Sequence, residues 1–341
     1  MTRSDSNQPI GVAIIGCGDM GAKHARAWQR REEARIIAVS SPTPEHRDAL
    51  ARTTGAKAYA DAYEAMTAEG VSAVSICTPG GTHADLAVHA LSCGRHVLCE
   101  KPLALSLADA DRMIGAAHKG GALLATSFQY RGVPRVRHFR RMVTNGVFGG
   151  PLLWHYRDIR QVRPKLAMHK PDGNGGVVID MAGHHIDAMR HVTGCEPLRV
   201  SATGHVFGRG KPTLAEIDDP AIDAAMMQIE YEQGHVLQMF LNWGMTEGFP
   251  EHRAEYLAGP AIAARVGEDH FEKHFQLLYG ETVETFEDDV PNHACRIDDL
   301  LDAILGHRSP EVTGRDGRIA LAVSLAAIKS LQTRTDVSLA T

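Results

Sequence analysis

Ile10-Gly11-Val12-Ala13-Ile14-Ile15 runs straight into Gly16-Cys17-Gly18-Asp19-Met20-Gly21, and this stretch decides the fold. Its six small and β-branched residues read as a strand buried on both faces. The G-x-G-x-x-G that follows opens a helical pattern over Met20–Arg30. The first glycine permits a tight turn, the second lets a pyrophosphate reach the backbone, and the third lets the helix pack closely on the strand. The helix N-terminus then faces the anion. Glycine-rich turns are common, so the hexapeptide takes its meaning from its place at the first strand–helix junction of a longer series.

That series continues outward. Ala34–Val39, Ala73–Cys77, His96–Cys99 and Leu123–Ala125 read as further strands. Helical patterns start at Pro44 and span His83–Ser92 and Leu107–His118. Strands interleaved with helices predict βαβ units and a doubly wound parallel sheet. After Phe128 the pattern changes. A helix over Val133–Asn145 is followed by strand-like Leu152–Arg160, Leu198–Val206, Ile222–Tyr231, Val236–Asn242 and His252–Ala258. Gln233-Gly234 reads as a hairpin turn. A helix over Gly183–Val192 interrupts the strands, and helices over Ala294–Leu305 and Asp316–Gln332 close the chain. Strands run together predict an α+β domain with a large, mostly antiparallel open sheet. The 341 residues thus divide into 1–128, a dinucleotide-binding domain, and 129–341, a second, α+β domain.

Composition narrows the function. The formal charge of −5 disfavours a nucleic-acid binder. No apolar run approaches the roughly 20 residues that cross a bilayer. The polar start MTRSDSNQPIG lacks a signal-peptide core, so a cytoplasmic protein is expected. Six scattered cysteines form no C-x-x-C pair. The 19 histidines raise the question of a metal, but their spacing argues against one. His184 and His185 are adjacent and cannot share a helix face, no H-E-x-x-H occurs, and His24, His83 and His89 fit helices elsewhere. No metal site is expected.

Three further segments carry chemistry. An NAD-specific turn usually has an acid about 20 residues on, and here the second strand ends in Val39-Ser40-Ser41-Pro42-Thr43. The serines, with charge from His46 or Arg47, suit a 2′-phosphate, so NADP is favoured over NAD, which stays possible. Cys99-Glu100-Lys101-Pro102 follows a strand directly, where ligands bind in open α/β sheets. A lysine there can donate to a substrate oxygen. The run Gly175-Gly176-Val177-Val178-Ile179-Asp180-Met181-Ala182-Gly183-His184-His185-Ile186-Asp187 places Asp180, His184, Asp187 and then His191 on one face of a helix. A carboxylate and an imidazole four residues apart after a glycine turn suit proton transfer near neutral pH.

These motifs in this order resemble the Gfo/Idh/MocA family of nicotinamide-dependent oxidoreductases over nearly the whole length. The resemblance rests on Gly16-x-Gly18-x-x-Gly21, Thr78-Pro79-Gly80-Gly81-Thr82-His83, Glu100-Lys101-Pro102, Arg131-x-x-Pro134, Asp180-x-x-x-His184-x-x-Asp187 and Gly314-Arg315-Asp316-Gly317. It implies an N-terminal Rossmann domain, a C-terminal α/β domain that supports homo-oligomers (a dimer or tetramer), and hydride transfer between NAD(P) and a CH–OH carbon of a sugar or cyclitol. Lys101, Asp180 and His184 would be catalytic, with His184 as base. Gly16, Gly18, Asp19, Met20, Gly21, Ser40, Ser41, Arg47, Thr78, Pro79, His83, Glu100 and Lys101 would hold the cofactor. Gln129, Arg131, Arg160, Asp180 and His184 would meet the substrate. Two departures are Asn174, where many members have a third glycine, and Ser41 in place of the common acid. The basic run holding Arg157, Arg160, Arg163, Lys165, His169 and Lys170, opposed only by Asp158, is expected to reach polar or anionic sugar groups. A sensor on the same fold, or a cycle without net redox change (epimerisation or glycosidic cleavage), are the alternatives.

Overall fold

The computed structural model describes residues 8–266, 274–288 and 293–339. They form two compact units: the described residues of Met1–Ser127 with His293–Arg315, and those of Phe128–Asn292 with Asp316–Thr341.

The first unit starts with β1 (Ile10–Ile15), α1 (Asp19–Trp28), β2 (Ala34–Ser40), α2 (Pro44–Thr54), β3 (Lys57–Tyr59) and α3 (Ala62–Thr67). It continues with β4 (Val71–Ile76), α4 (His83–Ser92), β5 (His96–Cys99), α5 (Leu107–Gly120) and β6 (Leu124–Thr126). The six strands pair in the order β3-β2-β1-β4-β5-β6, every pair parallel. The order reverses between β1 and β4, and the carboxyl ends of such a switch point form the ligand-binding edge. Val12, Ala13 and Ile14 of β1 are fully buried, as a central strand covered on both faces requires. Trp28 at the end of α1 is fully buried and donates from Nε1 to Ser75 Oγ at 2.9 Å, so its one polar atom is satisfied.

The second unit holds α6 (Pro134–Thr144), β7 (Leu153–Gln161), α7 (Gly176–Asp180), α8 (Ala182–Thr193), β8 (Pro197–His205), β9 (Ala224–Tyr231), β10 (Val236–Met245), β11 (His252–Ala258), β12 (Ala263–Val266), β13 (His274–Tyr279) and β14 (Thr282–Glu287). Its nine-stranded sheet runs β14-β13-β12-β11-β7-β10-β9-β8-β15, with β15 at Val337–Ser338. Only β7 and β10 pair in parallel among the described residues. The mostly antiparallel sheet expected from the sequence is therefore present. Gln233 and Gly234 turn β9 into β10 with φ of 59° and 80°, the two positive values a tight hairpin turn demands. On β7 the inward residues Trp154, Tyr156, Asp158 and Arg160 are buried, while Leu153 faces outward. Strands β12–β14 are not legible in the sequence: β12 has only four residues, and β14 is polar and largely exposed.

Two features differ from the sequence reading. The chain returns to the first unit at His293, where α9 (Ala294–Ile304) buries Ile297, Leu300 and Leu301 in the same core as Val12, Ile14 and Trp28. The two-segment division 1–128 and 129–341 missed this, because an amphipathic pattern shows which face is buried and not which core it joins. The last helix, α10 (Gly314–Thr333), then carries the chain back to the second unit. The second difference is local. The helix expected to carry Asp180, His184 and Asp187 on one face is two helices, α7 and α8, broken at Met181 with φ −102°.

Candidate functional site

In the first unit the phosphate turn is built as its glycines predict. Gly16 has φ +92°, and a Cβ there would lie 2.8 Å from the Cys77 carbonyl, so both conformation and space exclude a side chain. At Gly21 a Cβ would lie 2.0 Å from Gly16 O, which fixes how closely α1 sits on the turn. Gly18 differs: a side chain there would meet no described atom within 4 Å. Its openness is on the solvent side of the turn, where a dinucleotide phosphate would lie against the α1 N-terminus. Asp19 is exposed and Met20 half-buried in the first turn of that helix. The residues present therefore fit a dinucleotide.

At the end of β2, Ser40 and Ser41 are buried. Ser40 O accepts from Gly16 N at 2.8 Å and from the Cys17 thiol at 3.3 Å, so the turn and the β2 terminus are tied together. Burial pushes the Cys17 thiol up to about 11 against a smaller pull from Arg47, which keeps it protonated at neutral pH. Arg47 meets Asp48 at 2.9 Å. Beyond β4, Thr82 Oγ1 donates to Thr78 Oγ1 at 2.7 Å, and Pro79 precedes the short turn Gly80–Thr82.

The segment after β5 is the most tightly held. The buried Glu100 carboxylate accepts at Oε1 from His24 Nε2 at 2.9 Å and from His293 Nδ1 at 3.2 Å. Burial opposes its charge, but the two imidazole hydrogen bonds outweigh that and hold its carboxyl well below the usual range. Its Oε2 accepts from Lys101 N at 3.3 Å. On the other side of Lys101, Pro102 O lies 2.7 Å from His83 Nδ1, and His83 Nε2 lies 2.8 Å from Thr78 O. Burial lowers the His83 pKa, so near neutral pH the ring donates to one of these carbonyls at a time.

In the second unit, Gly175 and Gly176 both have positive φ, and a Cβ at Gly176 would lie 2.4 Å from Ile222 O. This turn delivers Asp180, fully buried, whose Oδ1 accepts from Asn174 Nδ2 at 3.0 Å. The position that departs from the family's third glycine thus contacts the carboxylate expected to orient substrate. Across the Met181 break, His184 stacks on Tyr130 with ring centroids 4.7 Å apart, while Phe128 meets it edge-on at 5.9 Å. His185 points elsewhere, stacked on Tyr156 at 3.5 Å. Asp187 is committed to Arg131, which donates to it at 2.8 and 2.5 Å and to Asp316 at 2.9 Å. His191 lies against Arg140.

The N-terminal model of the oxidoreductase family with an NAD-binding Rossmann fold matches residues 10–128, and the GFO/IDH/MocA C-terminal domain matches 136–257. A D-glucoside 3-dehydrogenase of Escherichia coli is 32% identical over 70% of this chain and 71% of its own. The chain belongs to the Gfo/Idh/MocA family. It is an NAD(P)-dependent oxidoreductase. A myo-inositol 2-dehydrogenase of Thermotoga maritima is 27% identical over 96% of this chain and 98% of its own. A levoglucosan dehydrogenase solved with NADH and levoglucosan shares the fold, with a TM-score of 0.85 and 19% identity over 98% of this chain and all of that one.

Against the Gfo/Idh/MocA motifs, the structure gathers the cofactor-turn residues and the Glu100–Lys101 pair in the first unit, and Asp180, His184, Gln129 and Arg131 in the second. Arg160, expected to meet substrate, is buried and donates to Asp158 at 2.8 and 2.5 Å. Its guanidinium and that of Arg163 lie over the Trp243 ring, at 5.7 and 5.4 Å. His169 is likewise buried, with Nε2 3.1 Å from Arg163 O. The expected basic run is thus interior only at Arg160 and His169, while Lys165 is exposed and Arg157, Arg163 and Lys170 are half-buried; Asp158 and Arg160, two apart on a strand, share the covered face of β7. Tyr156 and His293 were missed, and for His293 no signal existed.

Proposed function

We propose that this oxidoreductase moves a hydride between NADP and a secondary alcohol carbon of a cyclitol or pyranose sugar, with Lys101, Asp180 and His184 as its catalytic residues. The observation that carries the reading is the buried pair Asp180 and His184, delivered by a glycine turn in a chain that also keeps Lys101 directly after β5. The activities of the inositol and glucoside dehydrogenases among its relatives support the substrate class.

The nicotinamide, when bound, supplies the hydride acceptor or donor. Gly16, Gly18, Asp19, Met20 and Gly21 would bind the pyrophosphate through backbone N–H groups, with Thr78, Pro79 and His83 shaping the neighbouring wall. Ser40 and Ser41 carry no charge to repel a 2′-phosphate, and Arg47 supplies a cation beside them, which supports NADP over NAD. Glu100 would hold the strand end beside the cofactor. Lys101 donates a hydrogen bond to the reacting oxygen and stabilises negative charge as it develops. The His184 imidazole takes the hydroxyl proton in oxidation and returns it in reduction. Its stacking on Tyr130 fixes the ring plane without using a ring nitrogen. Asp180, oriented by Asn174, aligns substrate. Gln129 would contact the sugar, while Arg131 and Arg160, already bound to carboxylates, shape the wall behind it. Outward residues such as Leu153, Met226 and Tyr256 would serve a homo-oligomer.

A panel of inositols, methyl glucosides and anhydro sugars, each with NADP⁺ and NAD⁺, tests the reading by reduced-dinucleotide absorbance. We expect turnover with kcat/KM for NADP⁺ at least about tenfold above NAD⁺, a difference of about 1.4 kcal/mol, and loss of turnover in Lys101→Met. Preference for NAD⁺ removes the Ser40–Ser41 argument. Dinucleotide binding with no net oxidation, and an altered sugar by mass, would establish the cycle without net redox change instead.

A further inference from the structure

The histidine question raised by composition has its answer at one place. Among the described residues, His24, Glu100 and His293 form the one group of potential ligands whose donor atoms all lie within 4.8 Å of one another. All three are buried, and they come from α1, the end of β5 and the residue before α9. His293 also lies outside both matched regions, 10–128 and 136–257.

The hydrogen-bond geometry decides what the group does. Glu100 Oε1 accepts twice, so His24 must carry its proton on Nε2 and His293 on Nδ1. His24 Nδ1 is buried with no partner among the described residues. In the neutral tautomer that donates to Glu100, that nitrogen is a bare acceptor. A metal on Nε2 would force a proton onto it and bury an unsatisfied N–H donor, the costlier defect. The other groups facing Glu100 add no ligand. Its Oε2 accepts from Lys101 N, the Ser127 hydroxyl lies 3.5 Å from His293 Nδ1, and the neighbouring Cys77 and Cys99 thiols are pushed up by burial and by the Glu100 charge, which keeps them protonated.

We propose that His293 is a positioning residue for Lys101: with His24 it clamps the Glu100 carboxylate, which holds the Lys101 peptide N–H, while His83 pins the following carbonyl of Pro102. The lysine's own peptide N–H and the carbonyl one residue after it are thereby tied to three separate helices. This rests on Lys101 acting in the reaction as proposed above. A lysine on a fixed stub keeps its ammonium where the substrate oxygen comes, whereas a displacement of about 1 Å can cost on the order of a hundredfold in rate.

The test exploits which nitrogen is used. The amide nitrogen of Asn matches Nδ1 of histidine, and that of Gln matches Nε2. His293→Asn, His293→Gln and His293→Ala are compared for NADPH binding by fluorescence, for kcat and KM on the best substrate of the panel, and for the rate at which trinitrobenzenesulfonate labels Lys101, read on its peptide by mass spectrometry. We expect Gln and Ala to lower kcat by about ten- to hundredfold, with NADPH affinity and substrate KM within about threefold of the parent, and Asn to restore most of kcat. Lys101 labelling should quicken in Gln and Ala and not in Asn. Should Ala fail to fold, the Asn–Gln contrast carries the test alone. Equal behaviour of Asn and Gln in both kcat and labelling overturns the proposal, as does one equivalent of tightly bound zinc in the purified protein. If the parent turns over nothing on the panel, the proposed function fails, while Lys101 labelling still judges the clamp.

Discussion

Arg131→Met is the most informative single substitution in the second unit. The Arg131 guanidinium gives Asp187 two hydrogen bonds, at 2.8 and 2.5 Å, and Asp316 one at 2.9 Å. Burial works against its charge, and the two carboxylates more than offset that, so it is held cationic. Asp187 is completely buried. Removing the arginine leaves that carboxylate with no cation of its own, since Arg190 reaches Asp316 and Glu196 instead. Breaking a buried pair from one side costs about 3–5 kcal/mol. At 2–4 °C per kcal/mol for a domain of this size, the melting temperature should fall by roughly 6–20 °C. Adding Asp187→Leu removes the stranded charge and should recover most of the loss, because a buried ion pair is often replaceable by apolar side chains. Melting followed by circular dichroism, with steady-state kinetics on the same samples, reads both effects. A melting point within about 2 °C of the parent with a raised substrate KM would refute the structural reading and make Arg131 a substrate contact.

Three further outcomes are expected. Gly18→Ala, where a side chain meets no described atom within 4 Å, should keep the parent melting point yet weaken dinucleotide binding by at least about tenfold, while Gly21→Ala, with a Cβ 2.0 Å from Gly16 O, should lower both; isothermal titration and melting curves separate the two. Ser41→Asp should weaken NADPH binding and spare NADH, measured by fluorescence titration, because a carboxylate repels the 2′-phosphate. Burial lowers the pKa values of His83, His96, His169 and His235 from 6.5, so the unfolded chain takes up more protons as pH falls through that value. Stability should therefore fall from pH 7 towards pH 5, with a further loss below about 4.5 as the depressed Glu100 carboxyl is protonated. Urea midpoints that rise on acidification would contradict that sign.

What the sequence disclosed follows from the range over which each signal acts. The β1–α1 turn, the strand–helix alternation and the Gln233-Gly234 hairpin are local, since backbone conformation and a repeating burial pattern are written in neighbouring residues. The Met181 break is also local, yet Val177–His185 contains no proline to announce it. The turn at Gly176 is wedged against Ile222, a contact invisible in the sequence. The carboxylates that Arg131 and Arg160 bind were not legible for a similar reason. A basic side chain shows its charge in the sequence, but not the carboxylate that claims it, whether 56 residues away, as with Arg131, or two away across a pleat, as with Arg160. His24 and His293 belong to this class in its extreme form, since each makes sense only through Glu100.

The return of the chain at His293–Arg315 bears on how the protein is made. Ribosomes extend a chain at about 5–20 residues per second, and domains tend to fold as they emerge. Here the first unit to begin synthesis cannot close its core until Phe128–Asn292 of the second has been made, because Ile297, Leu300 and Leu301 of α9 pack with Val12, Ile14 and Trp28. Until those residues leave the exit tunnel, the dinucleotide turn sits on a sheet with an open apolar patch. The second unit meanwhile still awaits its own last segment, Asp316–Thr341. Premature release anywhere before α9 would yield a chain whose oldest domain never matures, and a nascent-chain protease assay would find protection of β1 arriving only at the end of translation.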